Sequence, residues 1–345
     1  MTDVRSQRPA ESRAANPAPR RRRNSLSSRR ARTALMFVAP QVIGLLVFTA
    51  GPLVASLGLS FTHWDLVAPQ PTFTGLENWQ HLLGDDRIPA VLWNTVRFIL
   101  VGTSSFLVFS LLAALLTYTP SRLVGLYRAA LFLPYVLSQI AVGVVWRWMF
   151  NSQSGPITVG VELLGIPSPD WLLDPATAMS SIAMVVTWQT VGYGMTLYIS
   201  ALQGVPAPLL EAATIDGANR WQRFRHVTIP IISPTIFFLS VTSLIGAFQL
   251  FDPVVAMTGA SIGGSGPATA GGPSNSTRTI VLYMYNQMFN YDEPISGLGY
   301  AAAIAWMLAM LIFIVTAIQF VVGGRFVYTE AERAPRRVRR GKGTR

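Results

Sequence analysis

Residues 298 to 324 contain no charged side chain. A helix needs roughly 20 predominantly apolar residues to cross the hydrocarbon core of a bilayer, and this run is one of several that are long enough. In lipid every backbone N–H and C=O must be satisfied within the protein, which leaves helices for runs of this kind. Apolar residues make up 51% of the chain and charged residues only 12%, about half the charged share of an ordinary soluble domain. The sequence therefore reads as an all-α polytopic membrane protein. Six spans are expected near 34–62, 95–117, 127–150, 177–203, 228–251 and 298–322, with Pro40, Pro52 and Pro134 inside spans that they would kink. The first apolar run is much longer than the roughly 7–15 residues of a signal peptide, and no small-x-small cleavage site follows it. Residues 34–324 form the expected membrane domain, between two basic tails, 1–33 and 325–345, whose composition predicts disorder.

The charge distribution orients these spans. Lys and Arg number ten in residues 1–33, two in 118–128, three in 204–227 and eight in 325–345, which is 23 of the 27. Arg87, Arg97, Arg147 and Arg278 fall on the other side. Positive residues concentrate on the cytoplasmic face, so both termini are expected inside, with outer loops at 63–94, 151–176 and 252–297. The net charge of +11 sits in the tails; it reads as a topology signal near an anionic leaflet rather than as a nucleic-acid surface. The chain has no cysteine and three scattered histidines, His63, His81 and His226, which excludes thiol chemistry and gives no metal-ligand set.

The polar stretch 206–230 separates the fourth and fifth expected spans. Pro206 and Pro208 stop one helix and start a short one carrying Glu211, Ala212 and Ala213. Gly217 suits the left-handed position that ends a helix. Asn219 with Gln222 three residues on resembles a capping box for a second helix, and Pro230 lies just inside the next span. The two alanines leave a shallow surface that another protein can approach, and a neighbouring carboxylate can pair with a base on it.

Glu211-Ala-Ala213, then Gly217, then Val227-x-Ile229-Pro230 resembles the cytoplasmic loop of the permease subunits of binding-protein-dependent ABC importers. Ile215-Asp216-Gly217-Ala218 with Trp221 and Phe224 is similar to the carbohydrate branch of maltose and glycerol-phosphate type, so the resemblance implies import of a sugar, a disaccharide or glycerol phosphate. Further matches are Pro40, Gly51-Pro52, Ser60-Phe61, Phe73-Thr-Gly-Leu-Glu-Asn78, Phe248, Phe251-Asp252, Gly271-Gly272-Pro273 and Gly299-Tyr300. The resemblance covers about residues 34 to 322. It implies the type I permease fold, with a cytoplasmic helix–Gly–helix loop on which an ATPase subunit docks through Glu211, Ala212, Ala213, Asp216, Gly217 and Pro230. It also implies two ATPase subunits, an external sugar-binding protein and, from the Gly-Gly-Pro stretch, a second and different permease, all working in a bacterial plasma membrane. Residues 259–270 read as an insertion relative to the family.

A nucleotide-binding loop of the form Gly-x4-Gly-Lys-Ser/Thr is lacking; the only lysine, Lys342, lies in Gly341-Lys-Gly-Thr-Arg345. No cofactor is expected in this chain, and the resemblance places ATP and magnesium on the partner ATPase subunits. Sugars are held by aromatic faces with amides and hydroxyls. Trp188, Gln189, Thr190 and Tyr193 cluster in the middle of the fourth span, and Gln249 lies near the end of the fifth. The resemblance to the maltose-type permease places sugar contacts at Gln189, Thr190, Tyr193, Gly246, Ala247 and Leu250. An ion-coupled secondary transporter is the alternative. It commonly uses acidic or His residues within the bilayer, and segments 98–117, 129–146 and 298–324 have none. A membrane-embedded enzyme would need a catalytic constellation at one depth, and none is found.

Overall fold

The computed structural model describes the backbone of residues 24–64, 70–119, 121–261, 264–265, 270–289 and 297–324. Residues 1–23, the tail 325–345 and half of the expected insertion 259–270 lie outside the described residues. The chain divides into one unit ending at Ala55 and a second from Ser56 onward.

The first unit is helical from Asn24, ahead of the expected start at 34. Over Thr33–Leu59 (α1) the helix is long and apolar enough to cross a membrane. Its π-turn at Leu46–Ala50 comes just before Gly51-Pro52. Proline has no N–H to give and its ring meets the carbonyl four residues back; a wider turn at that point absorbs the mismatch.

The second unit is a helical bundle with helices Glu77–Gly84 (α2), Arg87–Tyr118 (α3), Val124–Val136 (α4), Gln139–Met149 (α5) and Pro156–Leu163 (α6). There follow Ala178–Gln203 (α7), Ala207–Ile215 (α8), Arg220–Phe248 (α9), Asp252–Thr258 (α10), Ile280–Met288 (α11) and Leu298–Gly323 (α12). Among the described residues α1, α3, α9 and α12 have the length and apolarity of spans, and α4 with α5 makes a fifth if the bent pair counts as one.

Two of the six expected spans differ from expectation. The third, 127–150, is broken after Pro134 into α4 and α5, which meet at 101°. The break frees the Leu137 carbonyl, and the Gln189 side chain donates to it at 3.1 Å. The fourth, α7, is of spanning length but more polar than the others. Fifteen of its 26 residues are buried. It runs through the middle of the bundle, where protein rather than lipid surrounds its side chains, so Ser181, Thr187 and Gln189 are tolerated. Two glycines let its neighbours close in. A Cβ on Gly192 would collide with the α4 backbone at Leu131 and Phe132, and one on Gly194 with Ser110 and Phe106 of α3.

The expected outer loops are not loops throughout. They hold α2, α6, α10 and α11, and α3 already begins at Arg87 rather than 95. Two two-residue antiparallel ladders, Thr62–His63 with Thr72–Phe73 and Ala260–Ser261 with Gly264–Ser265, are the strands among the described residues. Motifs far apart in the chain meet here. Asn78, 2% exposed, donates to the Ser60 carbonyl at 3.0 Å and the Thr62 carbonyl at 2.8 Å. Gly299 packs so closely on the Thr62 carbonyl that no side chain fits. Tyr300 meets His81 edge to face at 4.8 Å.

Candidate functional site

The stretch 206–230 folds into the expected elbow. Pro206 is extended and starts α8. The helix closes with both bonds of a Schellman motif: Ala218 N–H to the Ala213 carbonyl at 2.9 Å and Gly217 N–H to the Thr214 carbonyl at 3.1 Å. Gly217 takes φ 82°, and nothing lies within 4 Å of where its Cβ would be, so the backbone angle alone demands glycine. Asn219 and Gln222 form the reciprocal capping box, each bond 2.8 Å. Arg223 ties the two limbs by donating to the Thr214 hydroxyl at 2.7 Å. The second limb is not a separate helix, as expected, but the start of α9. A π-turn at Phe224–Thr228 precedes Pro230 and lets the helix run on into the bundle.

Among the candidate coupling residues, Glu211, Ala212, Asp216 and Gly217 are exposed and Ala213 is half-buried. Ile215 is 86% and Trp221 64% exposed, apolar side chains on the same elbow as the Glu211 carboxylate. Pro230 sits apart from them, half-buried on α9.

A cleft of about 390 Å³ opens between α3, α4, α5, α7 and α9. Six of the seven candidate pathway residues line it: Thr190, Tyr193, Gly246, Ala247, Gln249 and Leu250. Gln189 does not; it is 3% exposed and holds the bend instead. Trp188 also stands apart, edge-on to Trp146 at 5.3 Å, and lines a separate apolar groove. Sequence reasoning missed Tyr135 and Gln139, which the break between α4 and α5 brings to the cleft. Tyr135 stacks on Tyr193, ring centres 5.1 Å apart and 17° from parallel. Thr242 and Ser243, also lining, were visible as a polar pair inside an apolar run.

Sequence reasoning also missed a polar knot beside the short helices. Asp85 accepts from Arg87 Nε at 2.9 Å and Nη2 at 3.2 Å, from Tyr300 at 2.7 Å, and from Tyr283. Gln287 donates to Tyr283 at 2.9 Å. Burial pushes the Asp85 carboxyl up, but the bonds from Arg87, Tyr283 and Tyr300 outweigh it and hold the group well below the usual carboxylate range. Burial, with the bond to Asp85, drives the Tyr283 phenol up. Partners some 200 positions away gave the sequence no local signal. No group of three or more His, Cys, Asp or Glu that could hold a metal occurs among the described residues.

Residues 98–328 match the family described as binding-protein-dependent transport system inner membrane component. The probable ABC transporter permease protein YesP of Bacillus subtilis is 33% identical, over 86% of this chain and 92% of its own. The lactose transport system permease protein LacF of Rhizobium radiobacter is 35% identical, over 83% and 92%. A chain of a bacterial alginate ABC transporter, crystallised with an alginate pentasaccharide-bound periplasmic protein, shares the fold with a TM-score of 0.72 at 18% identity, covering 88% of this chain and 98% of that one. With a family match over two thirds of its length and relatives above 30% identity over most of it, the chain belongs to the inner-membrane components of binding-protein-dependent transport systems, the multi-pass permease subunits of ABC transporters.

Proposed function

We propose that this permease forms half of the translocation pathway of an ATP-driven carbohydrate importer. The elbow carries this reading: it is closed at both turns, exposed, and presents Glu211 beside Ala212 and Ala213. An ATPase subunit docks there and a basic residue on it pairs with Glu211. ATP and magnesium are held by two such subunits, so this chain performs no bond chemistry itself. A second, different permease supplies the other half of the pathway, and an external binding protein delivers the sugar to the outer loops. Both termini are cytoplasmic, in keeping with 23 of 27 basic residues on one side. The carbohydrate assignment is supported by LacF, a lactose system permease, and by the stacked tyrosines and hydroxyls of the cleft, a surface suited to sugar rings.

The test is to purify the chain with its partners as wild type, Glu211→Ala and Gly217→Val. Complex yield, ATPase stimulation by loaded binding protein and sugar uptake into vesicles are then measured. Gly217→Val forces a strained backbone costing about 1 kcal/mol or more. Both variants should insert normally yet lose uptake through docking or coupling. Wild-type values for all three measurements in both variants refute the assignment of the elbow.

A further inference from the structure

Hydrogen-bonding capacity and charge in the cleft are lopsided. Thr190 donates to the Val186 carbonyl at 2.7 Å, Thr242 to that of Phe238 at 3.0 Å and Ser243 to that of Ser240 at 3.2 Å. Their protons are spent on their own helices, so toward the cleft they offer lone pairs. The one charged residue among the lining is Asp252, the first residue of α10, whose carboxylate has no hydrogen-bond partner among the described residues. Among the described residues no Lys, Arg or His lines the space. The donors left for a ligand are neutral: the amides of Gln139 and Gln249 and the phenols of Tyr135 and Tyr193.

A neutral saccharide fits this inventory. Its hydroxyls donate to the lone pairs and to Asp252, they accept from the amides and phenols, and a C–H face lies on the tyrosine stack. A phosphate or carboxylate brings only acceptors and a negative charge. It would enter a partly desolvated space with no cation to pair it and a like charge at hand, which is strongly unfavourable. Resting on the carbohydrate-importer reading, we infer that this half of the pathway admits uncharged saccharides and rejects phosphorylated or acidic ones, with Asp252 as the residue that discriminates.

The external binding protein would mask this selectivity, so the test leaves it out. The full complex of two permeases and two ATPase subunits, in nanodiscs, is titrated with lactose against lactobionate and maltose against maltobionate. Each pair differs by one carboxylate and the opened ring that bears it, and glucose against glucuronate separates charge from ring opening. Binding is read by saturation-transfer NMR, which detects millimolar affinity. In the wild type the neutral members should bind and the acids should bind about tenfold more weakly or worse, a difference of about 1.4 kcal/mol. Asp252→Asn should narrow that gap and Asp252→Lys should close or invert it. Equal or tighter binding of the acids by the wild type overturns the inference and leaves the importer reading standing. A gap unchanged in Asp252→Asn overturns the role of Asp252, and this comparison decides even if Asp252→Lys fails to assemble. If no probe, neutral or acidic, binds the wild type, both the inference and the assignment of the cleft as a sugar site fail.

Discussion

Replacing Gly192 by alanine tests whether the bundle is closed as described. A Cβ at this position lies 2.5 Å from Phe132 Cα and 2.7 Å from the Leu131 carbonyl carbon, and nearer still to the Leu131 oxygen. Ordinary carbon contacts begin near ~3.5 Å, so α4 and α7 must part by about 1 Å. The obstacle is backbone, which cannot rotate away, and the cost belongs at the upper end of the roughly 1–3 kcal/mol typical of overpacking. Alanine returns up to about 1 kcal/mol of helix propensity, leaving a net loss of about 1–2 kcal/mol. Gly246→Ala is the matched control for the melting comparison alone, because nothing lies within 4 Å of its Cβ and only the propensity gain applies to stability. The assay is thermal unfolding in detergent followed by size-exclusion chromatography, with sugar uptake by the reconstituted complex. Gly192→Ala should melt several degrees lower than wild type. It should also lose uptake, since the same movement opens the Tyr135–Tyr193 stack. A Gly192→Ala protein as stable as Gly246→Ala would mean that α4 and α7 do not approach as described.

Asp85→Ala leaves the buried Tyr283 and Tyr300 hydroxyls without their shared acceptor, and should destabilise by about 2–4 kcal/mol in the same melting assay. Because the Asp85 carboxyl is held below its usual range, its contribution is complete above the unfolded pKa. The melting gap between wild type and Asp85→Asn should therefore stay constant from pH 7 to about 5, then shrink as pH falls toward the folded value. In this cysteine-free chain, Arg20→Cys, Gly160→Cys and Arg340→Cys report orientation. An impermeant thiol reagent on intact cells should label only residue 160, and labelling of 20 or 340 refutes the cytoplasmic placement of the termini.

The elbow was legible because its determinants are local. Glycine at a helix end, Asn219 with Gln222 three residues on, and prolines at helix starts each act within one turn, and the structure has them doing so. Long apolar runs likewise marked α1, α3, α9 and α12. The helices within the expected outer loops were hidden because α2 and α11 bury one face, through Leu82 in one and Tyr283 in the other, inside stretches too short and mixed to show a period. The break in the third span could be suspected from Pro134, but not its 101° angle, nor that Gln189 reaches across to Leu137 there. For the same reason Gln189 read as a pathway residue: a buried amide looks alike in sequence whether it meets a ligand or a backbone carbonyl. The Asp85 knot has partners on three helices, and pairing over such distances leaves no trace in spacing.

The continuity of α9 ties the two ends of the molecule together mechanically. The helix starts inside the elbow at Arg220, and its far end at Thr242, Ser243, Gly246 and Ala247 forms a wall of the cleft. At 1.5 Å per residue that is about 40 Å of unbroken rod. With the elbow's limbs braced by Arg223 and Thr214, a displacement at the exposed end has no loop in which to dissipate. The wall near Ala247 must then shift or tilt with the elbow, as a push rod moves at both ends. The π-turn before Pro230 and the missing N–H of Pro234 inside the helix are the irregular points of that rod, and so the natural places for it to flex.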